Sequence, residues 1–144
     1  LIDELYKRHT SLASQKNLEF NIDRSPTIGS VQTSRLYLTD ILEKLISNAF
    51  KYTSEGSVTL SAAQNGQAIT ISVKDTGNGI AKTDLSKIFD KFYRSEDYRT
   101  RETGGNGLGL YIASRLADKI HTKIEVTSRY EHGSEFSVTL PVAK

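Results

Sequence analysis

Cysteine is absent from this sequence, which excludes disulfide cross-links, thiolate nucleophiles and thiolate-held metals. The three histidines, His9, His121 and His132, are scattered, and no separation between them matches a zinc-ligand spacing. A structural metal is therefore not expected. Charge of one sign is not in excess either: 19 basic against 17 acidic residues leave a formal net charge of +2, too little to require nucleic acid or an anionic membrane as partner. No apolar run approaches the roughly 18 residues of a membrane span, and no signal-peptide pattern opens the chain. An initiator methionine is also missing. The chain starts inside a helical pattern, "LIDELYKRHTSLASQK", so a piece of a longer protein is expected: residues 1–15 as the end of a preceding helix or linker, residues 16–144 as one domain, and any membrane segments in the missing portion.

What is present suffices for a self-supporting fold, since a chain of 144 residues buries roughly two thirds of its unfolded surface without staples. Helix and strand signals alternate along it, with no repeat or low-complexity tract. Ile2, Leu5, Tyr6 and Leu12 recur at nearly helical spacing. "LEFNID" (Leu18 to Asp23) alternates as a half-buried strand. "TSRLYLTDILEKLISNAFKYT" is the strongest helix, with Leu36, Ile41, Leu42, Leu45, Ile46 and Ala49 expected on its apolar face and Thr33 or Ser34 as N-cap. Two alternating runs around Asn65-Gly66 predict a β-hairpin. A short helix is expected near Asp84 to Phe89, then a polar segment from Ser95 to Thr103, then a helix opened by the glycine-rich stretch Gly104 to Ala113. "TKIEVTSRY" and "SEFSVTLPV" predict a second hairpin turning near His132-Gly133. Together these elements predict an α+β two-layer sandwich: one mixed, mostly antiparallel sheet with helices on a single face.

Six of the ten glycines fall in two clusters, "DTGNGI" and "GGNGLGL". Bare backbone just before a helix suits an anion, because the first helical turn offers unpaired N–H groups and the positive end of the dipole. A nucleoside-triphosphate P-loop is excluded, since Leu-Gly-Leu stands where Gly-Lys-Ser/Thr is required. A dinucleotide fingerprint is excluded as well, because the loop follows a polar, Arg-bearing stretch rather than a strand.

Taken together, "SNAFKYT", "DTGNGI", "KIFDKFYRSE", "GGNGLGL" and "GSEFSVTLP" resemble, in order, the N box, first glycine box, F box, second glycine box and closing strand of the ATP-binding catalytic domain of sensor histidine kinases. That family lies within the superfamily of gyrase, Hsp90 and MutL ATPases, sharing the Bergerat-type ATP-binding fold. The resemblance covers almost the whole chain. It implies ATP and Mg²⁺ as ligands, held between helices beneath a mobile lid. Asp75, at a strand end, is expected to accept a hydrogen bond from the adenine amine; an Asx-type turn cap is the alternative reading. Gly77 and Gly79 would let the loop approach the base, and Ile80 would supply an apolar wall. Asn48, Lys51 and Tyr52 lie near the end of the long helix, where Asn48 suits Mg²⁺ and Lys51 suits phosphate. A lysine there also serves as an ordinary dipole partner. Phe89 and Phe92 are expected to anchor the lid, Ser95 to Gly105 to form it, and Arg94 to reach the terminal phosphate. Arg99 and Arg101 read better as solvated loop residues. Backbone amides from Gly105 through Gly107, Leu108 and Gly109 to Leu110 would line the triphosphate.

Two positions depart from the family pattern. Lys44 stands one turn before Asn48, where the family carries Asn or an acidic group, and a cation there repels Mg²⁺ unless its stem carries it elsewhere. The glycine that usually follows the last helix is replaced by "HTK", with His121 expected to take a left-handed conformation at modest cost. No phosphoacceptor histidine is expected here, because "KRHTSL" lacks an acidic partner and His9 reads as a surface residue. The resemblance implies a phosphotransferase that uses a histidine on a dimerisation domain of the same protein and, through it, a response regulator, on the cytoplasmic side of a membrane-bound sensor. A docking module with weak or no kinase activity is the alternative, motivated by Lys44. A gyrase- or Hsp90-like ATPase is disfavoured by the absence of an acidic water-activating residue on the long helix.

Overall fold

Alternation of apolar and polar side chains builds the sheet. In the computed structural model, which describes residues 1–25, 28–91, 93 and 108–143, the runs flanking Gly66 form β2 (Ser57–Asn65) and β3 (Ala68–Asp75). β1 (Glu19–Arg24) precedes them, and β4 (Glu125–Arg129) and β5 (Gly133–Pro141) close the chain. The strand order is β1-β2-β3-β5-β4. Among the described residues only β1 and β2 run parallel; the other three strand pairs are antiparallel. The expected mixed, mostly antiparallel sheet is therefore present.

Register sorts the two faces. Leu60 faces Val73, Val73 faces Phe136 and Phe136 faces Val126, so one cross-strand row carries apolar side chains. A second row joins Ala62, Ile71 and Val138. These side chains belong to the core, whereas the opposite face carries residues such as Thr70 and Thr139, whose hydroxyls lie 2.9 Å apart at the surface. A sheet with one dry face needs helices on that face alone.

The helices supply them: α1 (Ile2–Gln15), α2 (Arg35–Lys51), the single turn α3 (Lys82–Leu85) and α4 (Gly109–Lys119). Ser34 caps α2, its Oγ accepting from the Tyr37 amide at 3.2 Å, as one of the two expected N-caps. The apolar stripe of α2 is Leu38, Ile41, Leu42, Leu45, Ile46, Ala49 and Phe50. Leu36 is not part of it. At about 100° per residue, Leu36 is turned some 200° from Leu38, and it is 70% exposed. α4 packs beside α2. It ends in a Schellman arrangement, with the Thr122 amide donating to the Ala117 carbonyl and the His121 amide to that of Asp118. His121 has φ +62°, so it takes the left-handed position expected of it.

α1, expected as a lead-in, contributes Leu5 and Ala13 to the core. His9 lies on the same face and is only 9% exposed, which corrects its reading as a surface residue. Its Nε2 is 2.9 Å from Glu43 Oε2, and its ring stacks on Phe50. A neighbouring helix supplies both partners, so the local pattern around His9 could not reveal its burial. The helix expected over Asp84 to Phe89 is also corrected. Only one turn forms, and the chain continues through successive i to i−3 bonds from Lys87 to Asp84, Asp90 to Lys87 and Tyr93 to Asp90.

Candidate functional site

β3 ends on a carboxylate. Ile69, Ile71 and Val73 point into the core, and the next position on that face is Asp75, 5% exposed. A buried carboxylate demands donors. The Gly77 amide donates to Oδ1 at 2.9 Å, and the Ser134 backbone amide also donates to the carboxyl group. Burial pushes the Asp75 carboxyl above the usual carboxylate range, and these two amides only partly offset it. The Asx-type bond to Gly77 is thus present, and the same carboxylate is held as a fixed, desolvated acceptor at the end of the sheet.

Three pieces of chain converge on this point. The loop after Asp75 packs on the C-terminal end of α2: the Asn78 amide donates to the Tyr52 carbonyl at 3.1 Å. A Cβ at Gly77 would lie 2.3 Å from that same carbonyl oxygen. The loop also packs on the β4–β5 turn, where a Cβ at Gly79 (φ +68°) would lie 2.1 Å from the Arg129 carbonyl oxygen. Both glycines are therefore required by contact with protein backbone, a reason different from the close approach to a base expected of them. Ile80 packs against the core, and its amide donates to Ser128 Oγ at 2.7 Å.

Asn48, Lys51 and Tyr52 occupy the last turn of α2 and its C-cap, the end that touches Gly77. Asn48 and Tyr52 are half-buried and Lys51 is exposed. Lys44 is half-buried one turn earlier and makes no ion pair among the described residues. The acidic neighbour Glu43 instead binds Arg8 and His9. Among the described residues no cluster of three His, Asp or Glu side chains could hold a metal. A Mg²⁺ ion that keeps several waters and takes most of its other ligands from a phosphate chain needs only one or two protein oxygens, and Asn48 offers one.

Phe89 packs edge-on against Phe136, ring centroids 6.3 Å apart, as expected of an anchor. The Lys91 ammonium lies 5.8 Å from the ring centroid of Tyr111, in the first turns of α4. That contact sets the start of α4 beside the 89–91 segment. Leu108 caps α4, Leu110 packs against the core, and a Cβ at Gly109 would meet nothing within 4 Å. Phe92, Arg94, the segment Ser95 to Gly105 with Arg99 and Arg101, and Gly107 lie outside the described residues.

Two residues of this site receive no role from the motifs. Ser134 sits directly opposite Asp75 in the β3–β5 register, and Ser128 sits opposite Ser134 in the β4–β5 register. Ser134 is buried and Ser128 half-buried. The available signal was parity: Ser134 lies two residues before Phe136 on a strand and must share its inward face.

A family model described as histidine kinase-, DNA gyrase B-, and HSP90-like ATPase matches residues 33–144. SenX3, a sensor-like histidine kinase of Mycobacterium tuberculosis, is 36% identical over 142 residues, covering 98% of this chain and 34% of that protein. LuxQ, an autoinducer 2 sensor kinase/phosphatase of Vibrio cholerae, is 34% identical over 146 residues, covering 98% of this chain and 17% of its own length. Among solved structures, full-length ShkA in complex with AMPPNP matches with a TM-score of 0.86 at 30% identity, over 99% of this chain and 29% of that one. The chain thus spans a minor part of each of these proteins. Among the described residues, no helix is long and apolar enough to cross a membrane.

Proposed function

Because the chain belongs to the histidine kinase-, DNA gyrase B-, and HSP90-like ATPase family, we propose that it is the ATP-binding catalytic domain of a two-component sensor histidine kinase, with residues 16–144 as the domain and 1–15 as the end of a preceding helix. The observation that carries this reading is the buried carboxylate of Asp75, held by two amides at the end of the sheet. An acceptor of that kind binds the exocyclic amine of adenine and repels the 6-oxo group of guanine. Ile80 forms an apolar wall, and Tyr52 flanks the base from the end of α2. Lys51 and Arg94 neutralise phosphate charge, and backbone amides at Gly105, Gly107, Leu108, Gly109 and Leu110 receive the triphosphate. Asn48 is the protein's ligand for Mg²⁺, which supplies further neutralisation of the phosphates when bound.

In the reaction, the bond from the γ-phosphorus to the bridging oxygen breaks, a phosphorus–nitrogen bond forms to a histidine on a dimerisation domain outside this chain, and ADP leaves. The domain's own contribution is positioning and charge neutralisation. The phosphohistidine then serves a response regulator. Such a domain works on the cytoplasmic side of a membrane-bound sensor and needs neither nucleic acid nor direct membrane contact. Calorimetric titration with ATP and GTP, each with and without Mg²⁺, tests the site. Selective ATP binding supports it, and equal binding of the two nucleotides, or none, overturns it. Phosphate release in the absence of an acceptor histidine separates transfer from hydrolysis: rapid turnover would identify an ATPase instead.

A docking module with weak or no transfer activity is the second reading. Lys44 favours it, since this half-buried residue makes no ion pair among the described residues and stands one turn from Asn48.

A further inference from the structure

Asp75, Ser134 and Ser128 form one cross-strand row over β3, β5 and β4, on the face that carries the core. The Ser128 hydroxyl has three neighbours at hydrogen-bond distance. The Ile80 amide donates to it at 2.7 Å, the Gly133 carbonyl lies 3.0 Å away, and Ser134 Oγ lies 2.9 Å away. A carbonyl can only accept, so the single Ser128 proton goes to Gly133. Ser128 is then an acceptor toward its other two neighbours, and Ser134 must donate its own proton to Ser128. The consequence falls on the binding site: with its proton committed, Ser134 Oγ retains only lone pairs for a ligand.

We infer that Ser128 is a positioning residue for base selection, which orients the Ser134 hydroxyl as an acceptor beside the Asp75 carboxylate and ties the loop at Ile80 to the same strand pair. This inference rests on the proposed adenine site. Two acceptors side by side match an amine at position 6 of a purine and reject a carbonyl there. Releasing the Ser134 proton would let that hydroxyl turn and donate to a 6-oxo group.

The test compares ATP with inosine triphosphate, which differ in this group and in the N1 proton that accompanies the 6-oxo form, by titration against the wild-type chain, three single variants and one double variant. Wild type must first bind ATP selectively; failure at that step removes the adenine site itself and is distinct from failure of the inference. Given selective binding, Ser128→Ala should lower the ATP-to-inosine-triphosphate affinity ratio about fivefold, the equivalent of one neutral hydrogen bond. Loss of support alone would weaken both nucleotides equally and leave the ratio unchanged. Ser128→Thr, which keeps the hydroxyl, should restore the wild-type ratio. Ser134→Ala removes the oriented group, and adding Ser128→Ala to it should change the ratio no further. An unchanged ratio in folded Ser128→Ala overturns the inference. If that variant does not fold, a wild-type ratio in Ser134→Ala overturns it, and a reduced ratio there together with a wild-type ratio in Ser128→Thr sustains it.

Discussion

Between β2 and β3 the chain reverses at Gly66, whose φ is +65° and whose Cβ position faces open space. Between β4 and β5 it reverses through Glu131 (φ +69°) into Gly133 (φ +111°), where a Cβ would stand 2.1 Å from the Asp75 carbonyl oxygen. The Glu131 amide also donates to the Asn78 carbonyl in the loop after β3. Both hairpins use a left-handed turn in the same sheet. One glycine answers only to its own turn, and the other answers to a neighbouring strand that ends in the candidate site. The difference separates a turn that permits the fold from a turn that shapes the site.

The largest expected effect breaks that comparison directly. Gly133→Ala combines a backbone conformation unsuited to a side chain with a backbone clash, and should cost at least about 3 kcal/mol. Gly66→Ala meets only the left-handed penalty of about 1 to 2 kcal/mol. Urea unfolding of the two variants measures the gap, and equal losses would show that the β4–β5 turn yields as easily as the free one. ATP affinity should stay at the wild-type level in Gly66→Ala.

Next in size is Asp75→Asn, which loses the charged acceptor and can present its amide N–H donors to the adenine amine. ATP affinity should fall by about 1.5 to 3 kcal/mol, roughly 10- to 150-fold, with the fold intact by circular dichroism. Undiminished affinity would remove Asp75 from the site.

A pH series sharpens the same point. The Asp75 carboxyl is raised above its ordinary 3.8 by burial. The stability it contributes is therefore fully present below 3.8 and is lost as pH rises through the raised value, where the desolvated charge forms. Wild type should lose stability relative to Asp75→Asn across that window. Its advantage in ATP affinity over the variant should grow in the same window, because the ionised form is the stronger, charge-assisted acceptor for the adenine amine. Parallel pH profiles for the two proteins would contradict a raised Asp75.

The smallest effect concerns Lys44. With no ion pair to lose among the described residues, Lys44→Asn should change stability by less than about 1 kcal/mol. Its signature is in the metal: ATP affinity should gain Mg²⁺ dependence as an oxygen replaces a cation near Asn48. A strongly Mg²⁺-dependent wild type with an indifferent variant would remove the motive for the docking-module reading.

Much of this was legible in the chain. Both hairpins, the Ser34 cap and the left-handed His121 follow from residue types and local spacing, since turns and caps are settled within a few residues. The inward row of Phe136, Val138 and Leu140 follows from strand parity. The correction to His9 has a tertiary origin. His9 looked like a surface residue because its neighbours in sequence are Arg8 and Thr10, while the groups that bury it, Glu43 and Phe50, belong to α2. Gly77 and Gly79 meet a further demand that their motif does not show, since a Cβ on either would lie against the carbonyl of Tyr52 or Arg129.

The sequence by itself determined the family, the class of fold and the position of Asp75 at a strand end, because ordered motifs and a two-residue period need no knowledge of what lies across the sheet. Only the tertiary structure decided which side chains stand beside that carboxylate. Ser134 and Ser128 lie far from Asp75 along the chain and reach it through strand register, and register is set jointly by every row of the packed face.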